Sequence, residues 1–537
     1  MDVPKPIPPA GKKLTGRAFY ESIGSPKMIL APMVDQSEFA WRILTRSFIT
    51  PQTSKTLLAY TPMFHGRLFT ETAKFRNHHF QPIKAGLDCA PSLGSIPLGD
   101  LYLDGNPTID RPLFVQFCAN SPDDLLQAAE YVQPFCDAVD LNLGCPQGIA
   151  KKGHYGAFLQ EDWDLIYKLI NKLHLHLHVP VTAKMRILET KEETLEYAKM
   201  ILSAGASIIT VHGRRRDQKG HQTGLADWSV IRYLREKLPP ETVIFANGNI
   251  LRHEDIQKCL DETNADGVMS AEGNLHDPTI FAEPPAVGEE GREYWRGRDG
   301  KGGYRMDAVF RRYMDIMHRH VLGQDPPERR PLYIPSDPVS EPPLTADEDS
   351  RSLTEGEPPA KRPKYSNTKT TSPNLLAMQP HLFHLLRPLV AKHTDIRDVL
   401  ARSRGGDMAA FETVLSMVEA AVKDGLVDYN QDPDKYDEPL NSEQISSEHE
   451  KAEDESSVAA LKACKRPWWI CQPYVRPLPK EALEKGSLTM GKKGRKQLEK
   501  ASVDLLSVRN GMSEREKVDR RDGMPREEMP KESQVCG

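Results

Sequence analysis

Eight short apolar runs follow one another between Met28 and Gly273, and their number and spacing limit the architectures open to this chain more than any other feature. They read MILAPM from Met28, LLAYTPMF from Leu57, PLFVQF from Pro112, AVDLNLG from Ala138, PVTAKMRI from Pro180, IITVHGR from Ile208, VIFANGNI from Val243 and ADGVMSAEG from Ala265. Their length and β-branched content suit strands buried on both faces, as in a parallel sheet. Helical patterns lie between most of them. Ser121-Pro122-Asp123-Asp124 offers an N-cap, a first-turn proline and two carboxylates, and similar patterns span 162–173, 192–202, 228–238 and 253–260. Eight strands with intervening helices over about 250 residues predict an α/β fold of the (β/α)8 TIM-barrel type. The link from the second strand, Thr70 to Gly105, reads partly as loop.

The barrel accounts for about half of the 537 residues, and the low apolar share of 39% reflects dilution by polar segments. The expected organisation is an N-terminal extension over 1–27, the barrel over 28–285, and a C-terminal helical domain in two pieces, 286–322 and 373–430. Residues 323–372, rich in Pro, Glu, Asp and Ser, read as a disordered insert. The tail from 431 to 537 reads as mostly disordered, with one apolar island, RPWWICQPYVRPLP over 466–479, placed to pack on the body. No apolar run approaches a membrane span and the N-terminus lacks a signal-peptide h-region, so a soluble intracellular protein without a membrane partner is expected. The net charge of −5 argues against a uniformly basic nucleic-acid binder and leaves room for local basic patches. Eight cysteines without CxxC spacing suggest neither a disulfide framework nor a metal site.

Catalytic groups in such barrels come from the C-terminal ends of the strands and the loops that follow. Taken in order, those ends carry Pro32 and Met33, Gln116, Asn142 and Cys145, Lys184 and Arg186, His212, Asn247-Gly248-Asn249, and Ala271-Glu272. Packing alone would favour Val and Leu there, so polar residues at most ends outline one cavity. The Cys145 thiol, between glycine and proline in LNLGCPQG, could be nucleophile, metal ligand, proton donor or a structural core cysteine. Its loop supplies neither a base for a nucleophile nor soft ligands for a metal. A lysine, a histidine, a glutamine and asparagines suit a planar isoalloxazine. Gln116 can bond one polar edge, and Lys184 can stand beside the pyrimidine end of the anionic reduced form. The NGN and SAEGN turns lie where barrels often hold phosphate through loop amides.

MILAPM, VDLNLGCP with its following loop, TAKMR, TVHGRRRDQKG, ADW, FANGNI and ADGVMSAEG resemble, in order and spacing, the motifs of the tRNA-dihydrouridine synthases. The similarity is greatest to the eukaryotic-type subfamily acting on uridines 16 and 17 of the tRNA D-loop. LNLGCP alone has counterparts in other flavin barrels that act on pyrimidines, whereas the ordered set is specific. The resemblance implies FMN held by Pro32, Met33, Val34, Gln116, Lys184, His212, Asn247, Gly248, Asn249, Ala271 and Glu272, with Asn142 and Arg186 facing the uracil. It implies hydride transfer from reduced FMN to C6, a proton from Cys145 to C5, and NADPH or NADH as reductant. Many family members carry Gly-Arg where this chain has Ala271-Glu272. The phosphate is therefore expected to rest mainly on backbone amides, with Arg214 or Arg216 as a source of charge.

The implied partner is tRNA, met by the RGRDGKG run from Arg296, the Arg311-Arg312 pair and RSR from Arg402, with Lys151, Lys152 and His154 on the loop after Cys145. A cytoplasmic monomer is expected, with KRPK from Lys361 as a candidate nuclear signal and the tail as a place for protein partners. Two rival readings stand beside this one: a flavin barrel reducing free pyrimidines, and a non-catalytic RNA-binding scaffold on an inherited barrel.

Overall fold

The computed structural model describes residues 13–50, 56–92, 94, 96–337, 372–436 and 457–478. Nine parallel strands form its main sheet: β1 (Met28–Leu30), β2 (Leu57–Tyr60), β3 (Phe64–His65), β4 (Leu113–Cys118), β5 (Ala138–Leu143), β6 (Val181–Arg186), β7 (Ile208–His212), β8 (Val243–Asn247) and β9 (Gly267–Ser270). Pairing runs from β2 through β1 to β9 and back down to β4, and a β2–β4 pairing closes the barrel. Eight strands make the wall. LLAYTPMF, expected as one strand, is split because Pro62 has no N–H for the ladder, and β3 resumes the pairing with β4 at Phe117 and Cys118.

The expected helices lie at Pro122–Val132, Trp163–His176, Lys191–Ser203, Trp228–Lys237 and Glu254–Thr263. Their caps form as the sequence suggests: the Ser121 side chain accepts from the Asp124 N–H, Asp162 from Leu165, and Thr190 and Glu193 make a reciprocal capping box. The Thr70–Gly105 link holds the end of a helix over Gly66–Glu71, another over Ala73–His79 and a 3₁₀ turn over Leu98–Asp100. Ile29, Leu58, Tyr60, Phe114, Val243, Phe245 and Met269 fill the barrel interior. Phe19 and Tyr20, from a helix over Gly16–Ser22, join that cluster, with Phe19 stacked on Phe114.

The C-terminal region is helical, over Met306–Ile316, Pro373–Leu385, Arg387–Lys392, Thr394–Arg402 and Met408–Gln431. It docks on the barrel helix Phe39–Arg46, where the Trp41 and His381 rings stack with centroids 3.9 Å apart and His381 Nε2 lies 2.9 Å from the Glu38 carboxylate. Residues 323–337, expected to belong to a disordered insert, are attached to this body. Arg329 pairs with Glu412 and Asp315, Arg292 with Asp337, and Leu332 is buried. A proline-rich segment that cannot build a core of its own can still be pinned to an existing surface by ion pairs and one apolar anchor. Residues 338–371 of the insert, with KRPK, lie outside the described residues.

The apolar island of the tail packs as expected. Residues 466–476 run alongside the hairpin β10 (Tyr294–Arg296) and β11 (Gly302–Tyr304): the Met306 N–H donates to the Trp469 carbonyl at 2.9 Å and the Cys471 N–H to the Tyr304 carbonyl at 2.9 Å. Trp469 is fully buried among Trp295, Tyr429 and Tyr436. Gly425 makes room for it, since a Cβ there would come within 2.8 Å of both the Trp468 and Trp469 rings. Among the described residues no helix is long and apolar enough to cross a membrane. Trp469→Ala should lower the unfolding free energy by about 3–5 kcal/mol in a urea titration; a loss below about 1 kcal/mol would mean that this segment is not part of the core.

Candidate active site

Asp140 is the one charged residue of β5, and it has no exposed surface. Its Oδ1 accepts from Thr182 Oγ1 at 2.6 Å and its Oδ2 from Gln116 Nε2 at 2.8 Å. An ionised carboxylate only accepts, so the Gln116 amide is oriented with its nitrogen toward Asp140 and its oxygen toward Asn142, whose Nδ2 donates to it at 2.8 Å. Asn142 Oδ1 is thereby left to accept from the backbone N–H of Gly144 at 3.0 Å and of Cys145 at 2.8 Å. A continuous line of hydrogen bonds links a buried carboxyl group to the backbone of the cysteine turn.

The same turn is gripped from two other elements. Arg186 at the end of β6 donates through Nε to the Gly144 carbonyl at 2.7 Å and through Nη1 to the Arg215 carbonyl at 3.0 Å, and Lys219 Nζ donates to the Pro146 carbonyl at 2.8 Å. Gly156 folds back over it with φ +63°, where a Cβ would lie 2.9 Å from both the Cβ and the carbonyl oxygen of Cys145. Cys145 itself is half-buried, packed with Met63 and Phe158 against Cys118, Ala150 and Tyr155. Burial pushes the neighbouring Cys118 thiol up to about 12, keeping it neutral.

Across the mouth stand basic groups. Lys184 Nζ donates to Asn247 Oδ1 at 2.8 Å, and desolvation followed by repulsion from Arg186 lowers it to about 7. Desolvation, then the charges of Lys184, Arg186 and Arg214, hold His212 well below its ordinary range, so its imidazole is neutral. Arg214 Nη1 lies 3.1 Å from His212 Nε2, and because a guanidinium only donates, Nδ1 carries the ring proton. Desolvation also lowers Arg186 and Arg214 to about 10. The carboxylates that offset this charge are engaged elsewhere: Asp140 is itself raised to about 6 by burial, Asp217 is bound to Arg215, and Glu272 to Arg476.

The expected site residues thus fall into two connected groups. Gln116, Asn142, Cys145, Lys184, Arg186, His212 and Asn247 are linked by the bonds and electrostatic contacts above. Gly248 and Asn249 form a left-handed turn (φ +117° and +62°) tied to Arg214, which donates to Asn249 Oδ1 at 2.6 Å. Pro32, Met33 and Val34 follow β1 and Ala271 and Glu272 follow β9, neighbouring strands whose ends meet at Leu30 and Ser270. The Met33 N–H donates to Ser37 Oγ, and Val34 is exposed. Asn142 and Arg186, expected to face a substrate, each commit one polar atom to the cysteine turn, Oδ1 and Nε, while Asn142 Nδ2 goes to Gln116 and Arg186 Nη1 to the Arg215 and Gln218 carbonyls. Arg216, expected as an alternative to Arg214 as a source of charge for the phosphate, pairs with Glu161 at 2.5 Å and donates to the Ala157 carbonyl, on the Cys145 side.

The expected RNA-contacting cations are largely paired with carboxylates: Arg296 with Glu290, Arg298 with Asp434, Arg311 with Glu419 and Arg312 with Glu293. Arg402, Arg404, Lys151, Lys152 and His154 are exposed. Sequence reasoning did not single out Asp140, Thr182, Lys219 or Gly156. Only Asp140 carried a signal, as an acid within a strand buried on both faces. Among the described residues no group of three or more His, Cys, Asp and Glu side chains converges as a metal site would.

Two outcomes follow for stability. Burial raises Asp140 from 3.8 to about 6, so between about pH 4 and pH 6 the folded chain holds a proton that the unfolded chain releases. Its contribution is largest below about pH 4 and is lost as pH rises through about 6. Compared with Asp140→Asn, which has no such titration, the wild type should lose about 3 kcal/mol across that window in denaturant titrations and run parallel above it. Gly156→Ala, strained in both φ and space, should cost about 1–3 kcal/mol, read as a lower melting temperature.

Comparison with known proteins finds relatives along most of the chain. The dihydrouridine synthase (Dus) family profile matches residues 29–294. The chain is 41% identical over 467 residues to the tRNA-dihydrouridine(16/17) synthase, NAD(P)(+) type, of Saccharomyces cerevisiae, spanning 87% of this chain and 88% of that protein. It is 41% identical over 474 residues to the protein of the same name from Schizosaccharomyces pombe, spanning 87% and 92%. A rat protein named as similar to that synthase is 33% identical over 497 residues, spanning 92% and 84%. With a closed barrel, polar strand ends gathered at its mouth and relatives matched along most of their length, the chain belongs to the dihydrouridine synthase family of enzymes.

Proposed function

We propose that this enzyme reduces the C5=C6 bond of uridine in the tRNA D-loop, at positions 16 and 17, using bound FMN and NADPH or NADH. The observation that carries the reading is a half-buried thiol, Cys145, fixed at the edge of a barrel mouth that holds an excess of desolvated positive charge. The names of the yeast relatives, which specify tRNA, positions 16 and 17 and NAD(P), support the same substrate and reductant.

The residues fit a planar, anionic flavin. Lys184, lowered to about 7 with only an amide oxygen as hydrogen-bond partner, gains from an anion beside it, which would raise its affinity for a proton. Gln116 is held in one amide orientation by Asp140, so its hydrogen-bonding pattern toward a ring edge is set in advance. Gly248 and Asn249, with Arg214 behind them, make a turn suited to a phosphate. When bound, reduced FMN supplies the hydride for C6 of the uracil.

The remaining work belongs to the chain. Cys145 donates its proton to C5, and the charge left on sulfur lies in the field of Lys184 and Arg186. Asn142 and Arg186 hold the turn that carries the thiol, which fixes the angle of approach. A uridine in folded tRNA must leave its stack to reach a barrel mouth. Val34, Ile149 and Leu225, large apolar residues exposed on the connections that follow three barrel strands, Ile149 in a short helix over Gly148–Gly153, can cover a base so displaced, while Lys151 and Lys152 of that helix suit the flanking phosphates.

Purified protein should be yellow with FMN and should form dihydrouridine in unmodified tRNA on addition of NADPH. Cys145→Ala should keep the flavin and lose about 10²–10⁴-fold in product formation. Undiminished product from that variant would remove the proposed proton donor, and turnover of free uracil without turnover of tRNA would remove the RNA substrate.

A further inference from the structure

The turns after β8 and β9 are pressed together at one side of the mouth. Ser270 Oγ donates to the Ile250 carbonyl at 3.1 Å, and a Cβ on Gly273 would lie 2.3 Å from that same oxygen. Glu272 sits on this edge, where its carboxylate would repel an anionic ligand. It is met by a residue 204 positions further along the chain: Arg476 donates through Nη2 to Glu272 Oε1 at 2.6 Å and through Nε to Oε2 at 3.0 Å.

The segment that delivers Arg476 is held at several points. Trp469 is locked into the helical region, and the backbone of residues 469–471 bonds to that of 304–306. Further on, the Arg387 guanidinium lies 3.8 Å from the Tyr474 ring centroid, and the Tyr474 ring meets His276, from the same short helical turn as Glu272. The fork to Glu272 uses Nε and Nη2 of Arg476, and about half of the side chain is exposed at 48%. Arg214 lies within electrostatic reach of both Glu272 and Arg476 while bonded to Asn249 in the adjacent turn.

We propose that Arg476, carried to the barrel mouth by the C-terminal segment, is a cofactor-anchoring residue that neutralises Glu272 and, with Arg214, supplies the positive charge for the FMN phosphate. This deepens the reading above and rests on it. The turn after β9 places an acid, Glu272, on the edge where a phosphate would be held, and the cation that offsets it comes from a distant part of the sequence. Arginine suits the task because its planar fork can hold a carboxylate and present remaining N–H groups to phosphate.

The test is flavin binding to full-length protein stripped of cofactor, followed by quenching of flavin fluorescence, with FMN and with riboflavin, which lacks the phosphate. Wild type should prefer FMN. Arg476→Ala should weaken FMN binding about 10–100-fold and leave riboflavin within about twofold, and Arg476→Lys should recover part of the loss. Unchanged FMN affinity in Arg476→Ala, or equal loss for both flavins, would overturn the anchoring role while leaving the enzyme a flavoprotein. Wild type binding neither flavin would instead overturn the underlying cofactor reading, and this proposal with it.

Discussion

A single buried carboxyl group orients the site. Asp140 lies in the barrel wall with no exposed surface, and the donors around it, Thr182 Oγ1 and Gln116 Nε2, would lose their acceptor without it. Because a carboxylate cannot donate, it imposes a direction on the Gln116 amide, which imposes one on Asn142, which in turn has its oxygen free for two backbone N–H groups at the cysteine turn. The position of a half-exposed thiol is thus decided by a group inside the sheet. Packing alone could place the turn near the mouth; it could not choose which way each amide faces.

The mouth itself runs against the interest of stability. Desolvation lowers the proton affinity of Lys184, His212, Arg186 and Arg214, repulsion from Arg186 adds to it at Lys184 and Arg214, all three cations add to it at His212, and the nearby acids have other partners. Desolvated like charges oppose folding unless something anionic arrives to share the space. The surrounding barrel tolerates this because its strands are anchored by an extensive apolar core on both faces. Such a site is arranged to gain from its ligand rather than to be comfortable without it.

The barrel was legible because strands buried on both faces leave uninterrupted apolar runs, and the helices because Ser121, Asp162 and Thr190 are strong caps in the right places. Cys145, Lys184 and His212 were legible as polar residues at strand ends. Pro62 explains why one run became two strands. The clasp of Gly156 over Cys145 left no trace, since a glycine required by close approach looks the same as any loop glycine. Docking of residues 323–337 was hidden for a related reason: composition reports whether a segment can form its own core, and ion pairs such as Arg329 with Glu412 depend on a partner 83 residues away. The carboxylate partners of the expected RNA-contacting cations were not legible, because proximity of Arg311 to Glu419 or Arg312 to Glu293 is a property of the fold.

The distance in sequence between Glu272 and Arg476 bears on how the molecule is made. Chains emerge from the ribosome N-terminus first, and the barrel strands are all present once residue 270 has appeared. Two residues later the mouth gains Glu272 without its arginine partner, and it stays so until some two hundred more residues have been added and Trp469 has found its slot beside Gly425. A nascent or prematurely terminated polypeptide can therefore close its barrel while remaining electrostatically unready for an anion, which ties the readiness of the first half of the protein to completion of the second.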